Sequence, residues 1–80
     1  MTRDHILARI NTIFIETLDN KELKISEDTR ASDINEWDSL MHILLVDAIE
    51  EEFSVRFKSS EIQNWKNIGQ IIDTITTETD

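Results

Sequence analysis

Cysteine and proline are both missing from this sequence of 80 residues, and glycine occurs only once. Without cysteine the chain has no disulfide, no thiolate metal site and no thiol nucleophile of its own. Any sulfur chemistry must therefore be supplied by another molecule. With no proline and one glycine, few positions interrupt a helix, and the hydrophobic fraction of 39% suffices for a small core. These absences favour an all-α fold over strands joined by tight turns.

Basic residues are also scarce, since 8 Lys and Arg stand against 17 Asp and Glu and give a net charge of −9. Nucleic-acid phosphates and anionic lipid surfaces repel such a chain, so we expect neither as a partner. Proteins with basic patches are the partners that this charge favours. The sequence has no long hydrophobic run. It therefore predicts no signal peptide, no stable membrane insertion and a cytoplasmic protein, which we expect to be a monomer.

The apolar spacing predicts one domain over residues 1–80, a small four-helix bundle with a long first loop and a short third helix. The first helix should run from about Thr2, its cap, to Leu18. Residues 19–37 lose the helical spacing and should form a loop that packs across the bundle, with a short turn near residues 31–34. The apolar anchors of this loop are Leu23, Ile25 and Ile34.

Cap residues mark the other three helices. Asp38 should cap a second helix that ends near Phe53. Ser59 or Ser60 should cap the short third helix, and Asn67 should cap the fourth. The apolar residues that share one face of the fourth helix are Ile68, Ile71, Ile72 and Ile75.

The second helix has two apolar strips on a helical wheel. The broader strip is the predicted core face and comprises Ile43, Leu45, Val46, Ile49 and Phe53. Leu40 and Leu44 fall outside this face. The acidic residues Asp47 and Glu51 lie on the same side as these leucines, and such a mixed surface is typical of protein docking. The alternative is a helix buried on two sides, with Leu40 and Leu44 against the long loop.

The stretch from residue 36 to residue 57 reads EWDSLMHILLVDAIEEEFSVRF. An Asp-Ser-Leu triplet is usually an ordinary helix start. Here it opens an acidic helix that ends in Glu-Glu-Glu-Phe, and in this context the stretch resembles the acyl carrier protein family. The resemblance covers nearly the whole chain, because the long first loop, the short third helix and the D-T-I near the end of the fourth helix fall where that family has them.

The resemblance implies that Ser39 carries 4′-phosphopantetheine, which a separate phosphopantetheinyl transferase takes from coenzyme A. The thiol of this arm then holds acyl groups as thioesters, so the chain is expected to be a carrier and not an enzyme. An imported thiol also suits a sequence without cysteine. By the same resemblance, partner enzymes with basic patches, which load and transfer the acyl or aminoacyl cargo, contact one surface of the second helix. The expected partner-binding residues are Asp38, Leu40, Met41, Leu44, Asp47 and Glu51.

Three positions depart from the common pattern of that family. Glu36 stands where glycine is usual, so the turn into the second helix must form without the freedom of glycine, or with strain. Met41 and Leu44 occupy positions that are often acidic in the carrier of housekeeping fatty acid synthesis. The run W-D-S-L-x-H is more similar to free-standing carriers of specialised pathways, which include polyketide, lipid and polysaccharide-associated ones.

Two alternatives stay open at this point. The run N-W-K-N-I-G-Q-I-I resembles D-alanyl carrier proteins, which would make the cargo an aminoacyl group loaded by an adenylating enzyme. An acidic helical adaptor that keeps the fold without a prosthetic group is the second alternative. An enzyme lacks support, because the sequence has no glycine-rich phosphate loop and no base placed to activate Ser39.

The histidines and tryptophans give weaker signals. His5 and His42 are far apart and lack a third ligand at a suitable spacing, so no metal site is predicted. His42 lies one turn from Ser39 and is a candidate for lining the path of the arm or a cavity between helices. Trp37 and Trp65 are interpreted as packing residues.

Overall fold

The computed structural model describes residues 1–79, and all regular secondary structure in them is helical. The elements are α1 (Arg3–Leu18), a 3₁₀ turn (Ala31–Asp33), α2 (Ser39–Phe53), α3 (Ser59–Asn64) and α4 (Ile68–Thr79). The predicted four-helix bundle with a long first loop and a short third helix is confirmed. None of these helices, within residues 1–79, has the length and apolar character needed to cross a membrane.

Three of the helix starts are capped as predicted. The side chains of Thr2, Asp38 and Asn67 each accept a hydrogen bond from the backbone N–H three residues later, at 3.1, 2.9 and 3.0 Å respectively. Each bond satisfies one of the N–H groups that the first turn of a helix leaves free. The second of these caps fixes where α2 begins.

The start of α3 differs from the prediction. Ser59 and Ser60 both lie inside the helix, and Lys58 precedes it. The carboxylate of Glu61 accepts a hydrogen bond from the backbone N–H of Lys58 at 2.8 Å. A side chain from the first turn of α3 thus takes the place of the expected serine cap. The prediction of a serine cap is therefore wrong.

The core lies where α1 packs against α2 and α4. Phe14 of α1 is fully buried and meets Trp37 edge to face, with 4.9 Å between ring centroids. The fourth helix buries the predicted isoleucine face. The side chains with 2% exposure or less are Ile6, Ile10, Phe14, Leu45, Ile49, Ile68, Ile71, Ile72 and Ile75.

The long loop between α1 and α2 lies across the bundle. Its anchors are Ile25 and Ile34, which are buried, and Leu23, which is half-buried. The loop also supports the start of α4, because the carbonyls of Thr29 and Glu27 accept the N–H groups of Ile68 and Gly69 at 3.0 and 2.8 Å. A Cβ at Gly69 would lie 3.2 Å from the carbonyl oxygen of Glu27. The one glycine of the chain thus stands where two backbones approach closely.

A single guanidinium links three separate segments. Arg3 at the start of α1 pairs with Glu27 of the loop and with Asp73 of α4, both at 2.6 Å, and donates to the carbonyl of Gly69 at 3.2 Å. The bond from Arg3 lowers the pKa of the Glu27 carboxyl. We call this set of contacts the Arg3 clamp.

The turn before α2 forms without unusual backbone angles. Among residues 1–79, only Asp19 and Ser54 have positive φ, at 52° and 56°, and both end helices. Glu36 therefore has an ordinary negative φ, and its carboxylate accepts a hydrogen bond from the side chain of Asn20 at 2.9 Å. The turn before α2, where Glu36 stands in place of the expected glycine, therefore contains no left-handed residue.

Candidate attachment site at the start of α2

Ser39 is the first residue of α2 and is exposed to solvent. Asp38 accepts the N–H of Met41, whereas within residues 1–79 no hydrogen bond uses the hydroxyl of Ser39 or the N–H groups of Ser39 and Leu40. Free N–H groups at the positive end of a helix favour an anion such as a phosphate. The site thus offers an accessible hydroxyl beside a favourable place for negative charge.

A pocket of about 520 Å³ opens beside Ser39. Its lining includes Trp37 and His42 at the start of α2, Ile62 of α3, and Trp65, which follows α3. Its lining is mainly apolar, and its volume is within the range of about 300–1,000 Å³ that is usual for small-molecule sites. We call this space the Ser39 pocket.

A row of rings runs from the core to the Ser39 pocket. Phe14 contacts Trp37, which stacks on His42 with 5.9 Å between ring centroids. His42 meets Trp65 edge to face at 6.4 Å, and Trp65 meets Phe57 in the same way at 4.8 Å. The packing role predicted for the two tryptophans agrees with these contacts, and both tryptophans also line the pocket.

Both indole groups have internal hydrogen-bond partners. Trp37 donates from Nε1 to Nδ1 of His42 at 2.9 Å, and Trp65 donates from Nε1 to the hydroxyl of Thr74 at 3.0 Å. Because an indole N–H only donates, Nδ1 of His42 carries no proton and the neutral ring is protonated at Nε2. Partial burial lowers the pKa of His42, with a smaller opposing effect from the backbone of Ile62. His42 is therefore mainly neutral at pH 7.

The solvent-exposed side of α2 is more apolar than predicted. Leu40 and Leu44 are 64% and 44% exposed, so the alternative in which the long loop buries them is wrong. Ile43, predicted in the core, is 59% exposed, and that prediction is wrong as well. Ile43 lies about 120° around the helix from the fully buried Ile49. The neighbouring helices cover α2 on the side of Ile49 and do not reach Ile43.

Of the other residues predicted to bind partners, Asp38 caps the start of α2, and Asp47 and Glu51 lie on the same side of the helix as Leu40 and Leu44. Asp38, Asp47 and Glu51 are exposed, whereas Met41 is half-buried and packs against the core. We call the exposed strip the outward face of α2. It comprises Leu40, Ile43, Leu44, Asp47 and Glu51.

Two glutamates at the end of α2 make contacts with other parts of the fold that the sequence analysis did not predict. Glu50 is largely covered and accepts the backbone N–H of Phe57 at 2.8 Å. Glu52 pairs with Arg9 of α1. The acid between them, Glu51, is exposed and forms no ion pair within residues 1–79. Of these three adjacent glutamates, only Glu51 therefore has a carboxylate that is free for a partner.

The metal-ligand types do not converge. In the part of the chain from residue 1 to residue 79, no three side chains among His, Cys, Asp and Glu form a group that could hold a metal ion. His5 is exposed near the start of α1, and His42 is bonded to Trp37. Neither histidine takes part in a cluster of ligands.

Comparison with known proteins agrees with this geometry. Residues 8–75 match the family described as Phosphopantetheine attachment site. The acyl carrier protein of Caulobacter vibrioides is 34% identical over 74 residues, which cover 92% of this chain and 95% of that protein. The acyl carrier protein of Borreliella burgdorferi is 32% identical over 76 residues, which cover 94% of each chain.

A solved structure shows the same fold. The solution NMR structure of a holo acyl carrier protein from Geobacter metallireducens matches with a TM-score of 0.85 at 30% sequence identity, covering 91% of this chain and 84% of that one. These relatives are carriers and not enzymes, and the matched family is defined by covalent phosphopantetheine. With a family match over most of its length and relatives above 30% identity, the chain belongs to the acyl carrier protein family.

Proposed function

We propose that Ser39 is the residue to which 4′-phosphopantetheine is attached, and that the thiol of the arm carries acyl groups as thioesters to biosynthetic enzymes. The observation that supports this most directly is the exposed hydroxyl at the first residue of α2, free of internal hydrogen bonds within residues 1–79. The free N–H groups of Ser39 and Leu40 suit the phosphate that the modification adds. The arm supplies the thiol that a chain without cysteine lacks.

The attachment reaction requires only an accessible hydroxyl and a favourable site for the phosphate from this chain. A bond forms between Oγ of Ser39 and phosphorus, the phosphoanhydride bond of coenzyme A breaks, and the nucleotide part leaves. No side chain within residues 1–79 is hydrogen-bonded to the Ser39 hydroxyl. The transferase must therefore provide the base that takes its proton. The contribution of this chain is to present the hydroxyl and to stabilise the new charge.

Partner enzymes would dock on the outward face of α2. Leu40, Ile43 and Leu44 offer apolar contact area, and Asp47 and Glu51 offer charge to basic side chains. An apolar residue at position 44 and the covered Met41 replace charges common in the housekeeping carrier. We propose on this basis that the partners belong to a specialised pathway of the polyketide, lipid or polysaccharide-associated kind.

Intact mass after modification tests the attachment. The protein is incubated with coenzyme A and a broad-specificity phosphopantetheinyl transferase, alongside Ser39→Ala and a matched control, Ser60→Ala, which removes another exposed serine. We expect one added arm on the wild type and on Ser60→Ala, and none on Ser39→Ala. Circular dichroism verifies that each variant is folded. Modification of Ser39→Ala, or none of the folded wild type, would contradict the proposal and leave the adaptor alternative.

Charge reversal tests the docking surface. Glu51→Lys should lower kcat/KM for the transferase severalfold at low salt, because it turns an attraction into a repulsion, and the loss should shrink at high salt. Glu22→Lys makes the same charge change at an exposed position in the long loop and serves as the control. Equal losses in both variants would show that only net charge matters. Loading assays with amino acids and with fatty acids then distinguish an aminoacyl cargo from an acyl one.

A further inference from the structure

The three residues before Ser39 are all anchored by their side chains. Trp37 is buried and donates from Nε1 to Nδ1 of His42 at 2.9 Å, and Asp38 caps α2. The bonds that anchor these two residues run to α2 itself. Glu36 differs, because its carboxylate is bonded to a side chain 16 positions earlier in the sequence. The turn that leads to Ser39 is therefore attached to a distant part of the chain.

The partner of Glu36 is Asn20, which lies just beyond the end of α1. The backbone N–H of Asn20 donates to the carbonyl of Ile15 at 3.1 Å, and its carbonyl accepts from Leu23 at 3.3 Å. Its side-chain oxygen accepts the N–H of Glu22 at 3.0 Å. Asn20 is thus fixed on all sides, and its side-chain NH₂ group donates to Glu36 at 2.9 Å. We call this last bond the Glu36 brace.

The brace constrains a turn in which the family usually has glycine. A residue with a Cβ has fewer backbone conformations than glycine, and a bonded side chain restricts them further. The carbonyl of Glu36 also accepts the N–H of Asp38 at 3.1 Å, so the brace acts on the residue that caps α2. A turn that is already ordered costs less conformational entropy when a partner binds it.

We propose that Glu36 and Asn20 are positioning residues for the modification of Ser39, and that the Glu36 brace holds the turn that presents its hydroxyl to the transferase. This inference depends on the attachment proposed above. Neither residue is bonded to the hydroxyl itself. The brace increases the fraction of molecules that are ready to dock, so its loss should raise KM and leave kcat unchanged.

Two variants of Glu36 separate the hydrogen bond from the charge. Glu36→Gln removes the negative charge and keeps an oxygen that can accept from Asn20, whereas Glu36→Ala removes both. Because the two variants have the same net charge, any general loss of attraction to the transferase is equal in them. We expect KM to be about two- to fivefold higher for Glu36→Ala than for Glu36→Gln, the range for an exposed interaction of this kind. Equal KM values would overturn the proposal.

A variant of the partner residue tests whether the two act together. Asn20→Ala should raise KM in the wild type by a similar factor and add nothing in Glu36→Ala, because the bond is already lost there. Asn35→Ala removes the exposed side chain next to Glu36, leaves the brace intact and should not change KM. Independent, multiplying effects of Asn20→Ala and Glu36→Ala would contradict a shared role.

Hydrogen exchange measures the turn without any modification. The backbone N–H of Trp37 donates to the carbonyl of Ile34 at 3.1 Å, so its protection factor reports how often the turn opens. We expect this factor to fall about two- to fivefold in Glu36→Ala relative to Glu36→Gln. The N–H of Ile72, buried in α4, should keep its protection in both variants and shows that the bundle is intact.

The outcomes separate this inference from the proposed attachment. If the variants gain the arm on Ser39 with the same KM as the wild type, the positioning role is wrong and the carrier function stands, whatever the exchange rates. If the folded wild type gains no arm, the attachment itself is wrong. A higher KM together with faster opening in Glu36→Ala, and neither in Glu36→Gln, supports both.

Discussion

The inward and outward faces of α2 carry similar apolar residues in opposite surroundings. Leu45 and Ile49 on the inward face are 1% exposed, whereas Leu40 and Ile43 on the outward face are 64% and 59% exposed. Leucine and isoleucine occur on both faces, so the type of apolar residue does not determine which face is buried. The positions of α1 and α4 determine it. Apolar side chains that contribute little to the core are most simply explained by contact with another molecule, and the start of this face adjoins Ser39.

Two isoleucines of the same helix give the sharpest test of this difference. Ile49→Ala should lower the free energy of unfolding by about 2–5 kcal/mol, because it leaves a cavity in a packed core. Ile43→Ala should change it by no more than about 0.5 kcal/mol. Urea titrations of the two variants measure both values. Similar losses at the two positions would mean that Ile43 is buried after all and that the outward face is narrower than described.

Neighbouring glutamates extend the comparison to charged residues. Glu50→Ala should cost about 1.5 kcal/mol, because the backbone N–H of Phe57 loses a charge-assisted bond in a largely covered place. Glu51→Ala should leave stability within about 0.5 kcal/mol and lower kcat/KM for the transferase. Denaturant titration and transferase kinetics on both variants separate the two roles. An equal stability loss in Glu51→Ala would contradict the division between the faces.

The residue that ends α2 predicts a smaller effect. Ser54 has a φ of 56°, a conformation that costs less for glycine than for a residue with a Cβ. Ser54→Gly should therefore raise the free energy of unfolding by up to about 1 kcal/mol without changing the rate of modification. Ser54→Ala is the control, since it keeps the Cβ and should give no gain. A gain in both variants would rule out backbone strain as the cause.

The smallest expected effect is the pH response of the half-buried histidine. Because the folded protein has a lowered pKa at His42, the unfolded chain takes up the proton first as the pH falls. The stability contributed by neutral His42 is complete above pH 6.5 and is lost as the pH falls from 6.5 toward the lowered value. Protonation also removes the acceptor of the Trp37 bond, and the charged groups that share the pocket are Asp38 and Lys66.

Paired variants isolate this response. Urea titrations at several pH values between 5.5 and 7.5 should show a slope that His42→Gln removes, since glutamine accepts from Trp37 but does not titrate. His5→Gln, at an exposed histidine, should keep the slope. Carboxylates such as Glu27 are present in the wild type and in both variants, so they contribute equally to the pH dependence of stability in all three. A slope that survives in His42→Gln would assign it to other groups.

Much of the fold could be predicted because its signals are local. The apolar spacing predicted α1, α2 and α4. The caps Thr2, Asp38 and Asn67 could be predicted because a capping side chain bonds to a backbone N–H only three residues away. The start of α3 was missed because Glu61 satisfies the backbone in place of a serine. That bond is also local, and the spacing of Lys58 and Glu61 is the signal that could have found it.

The errors at the site have a different cause. A helical wheel gives the angle of Ile43 on α2 but not which sector the neighbouring helices cover, and that depends on the whole bundle. The contacts of Glu50 with Phe57 and of Glu52 with Arg9 arise from the path of the chain after α2 and from the placement of α1. The sequence shows three adjacent acids and gives no sign that only one of them is free.

The Arg3 clamp has a practical consequence for anyone who attaches a tag, label or neighbouring domain to this protein. Arg3 joins groups 24 and 70 positions further along the chain, so the loop and the last helix both depend on the residue at the start of the first. A fusion that trims or crowds residues 1–3 should loosen a region far from the fusion point in sequence. Probes placed in the exposed first turn of the loop, near Lys21, would leave these contacts intact.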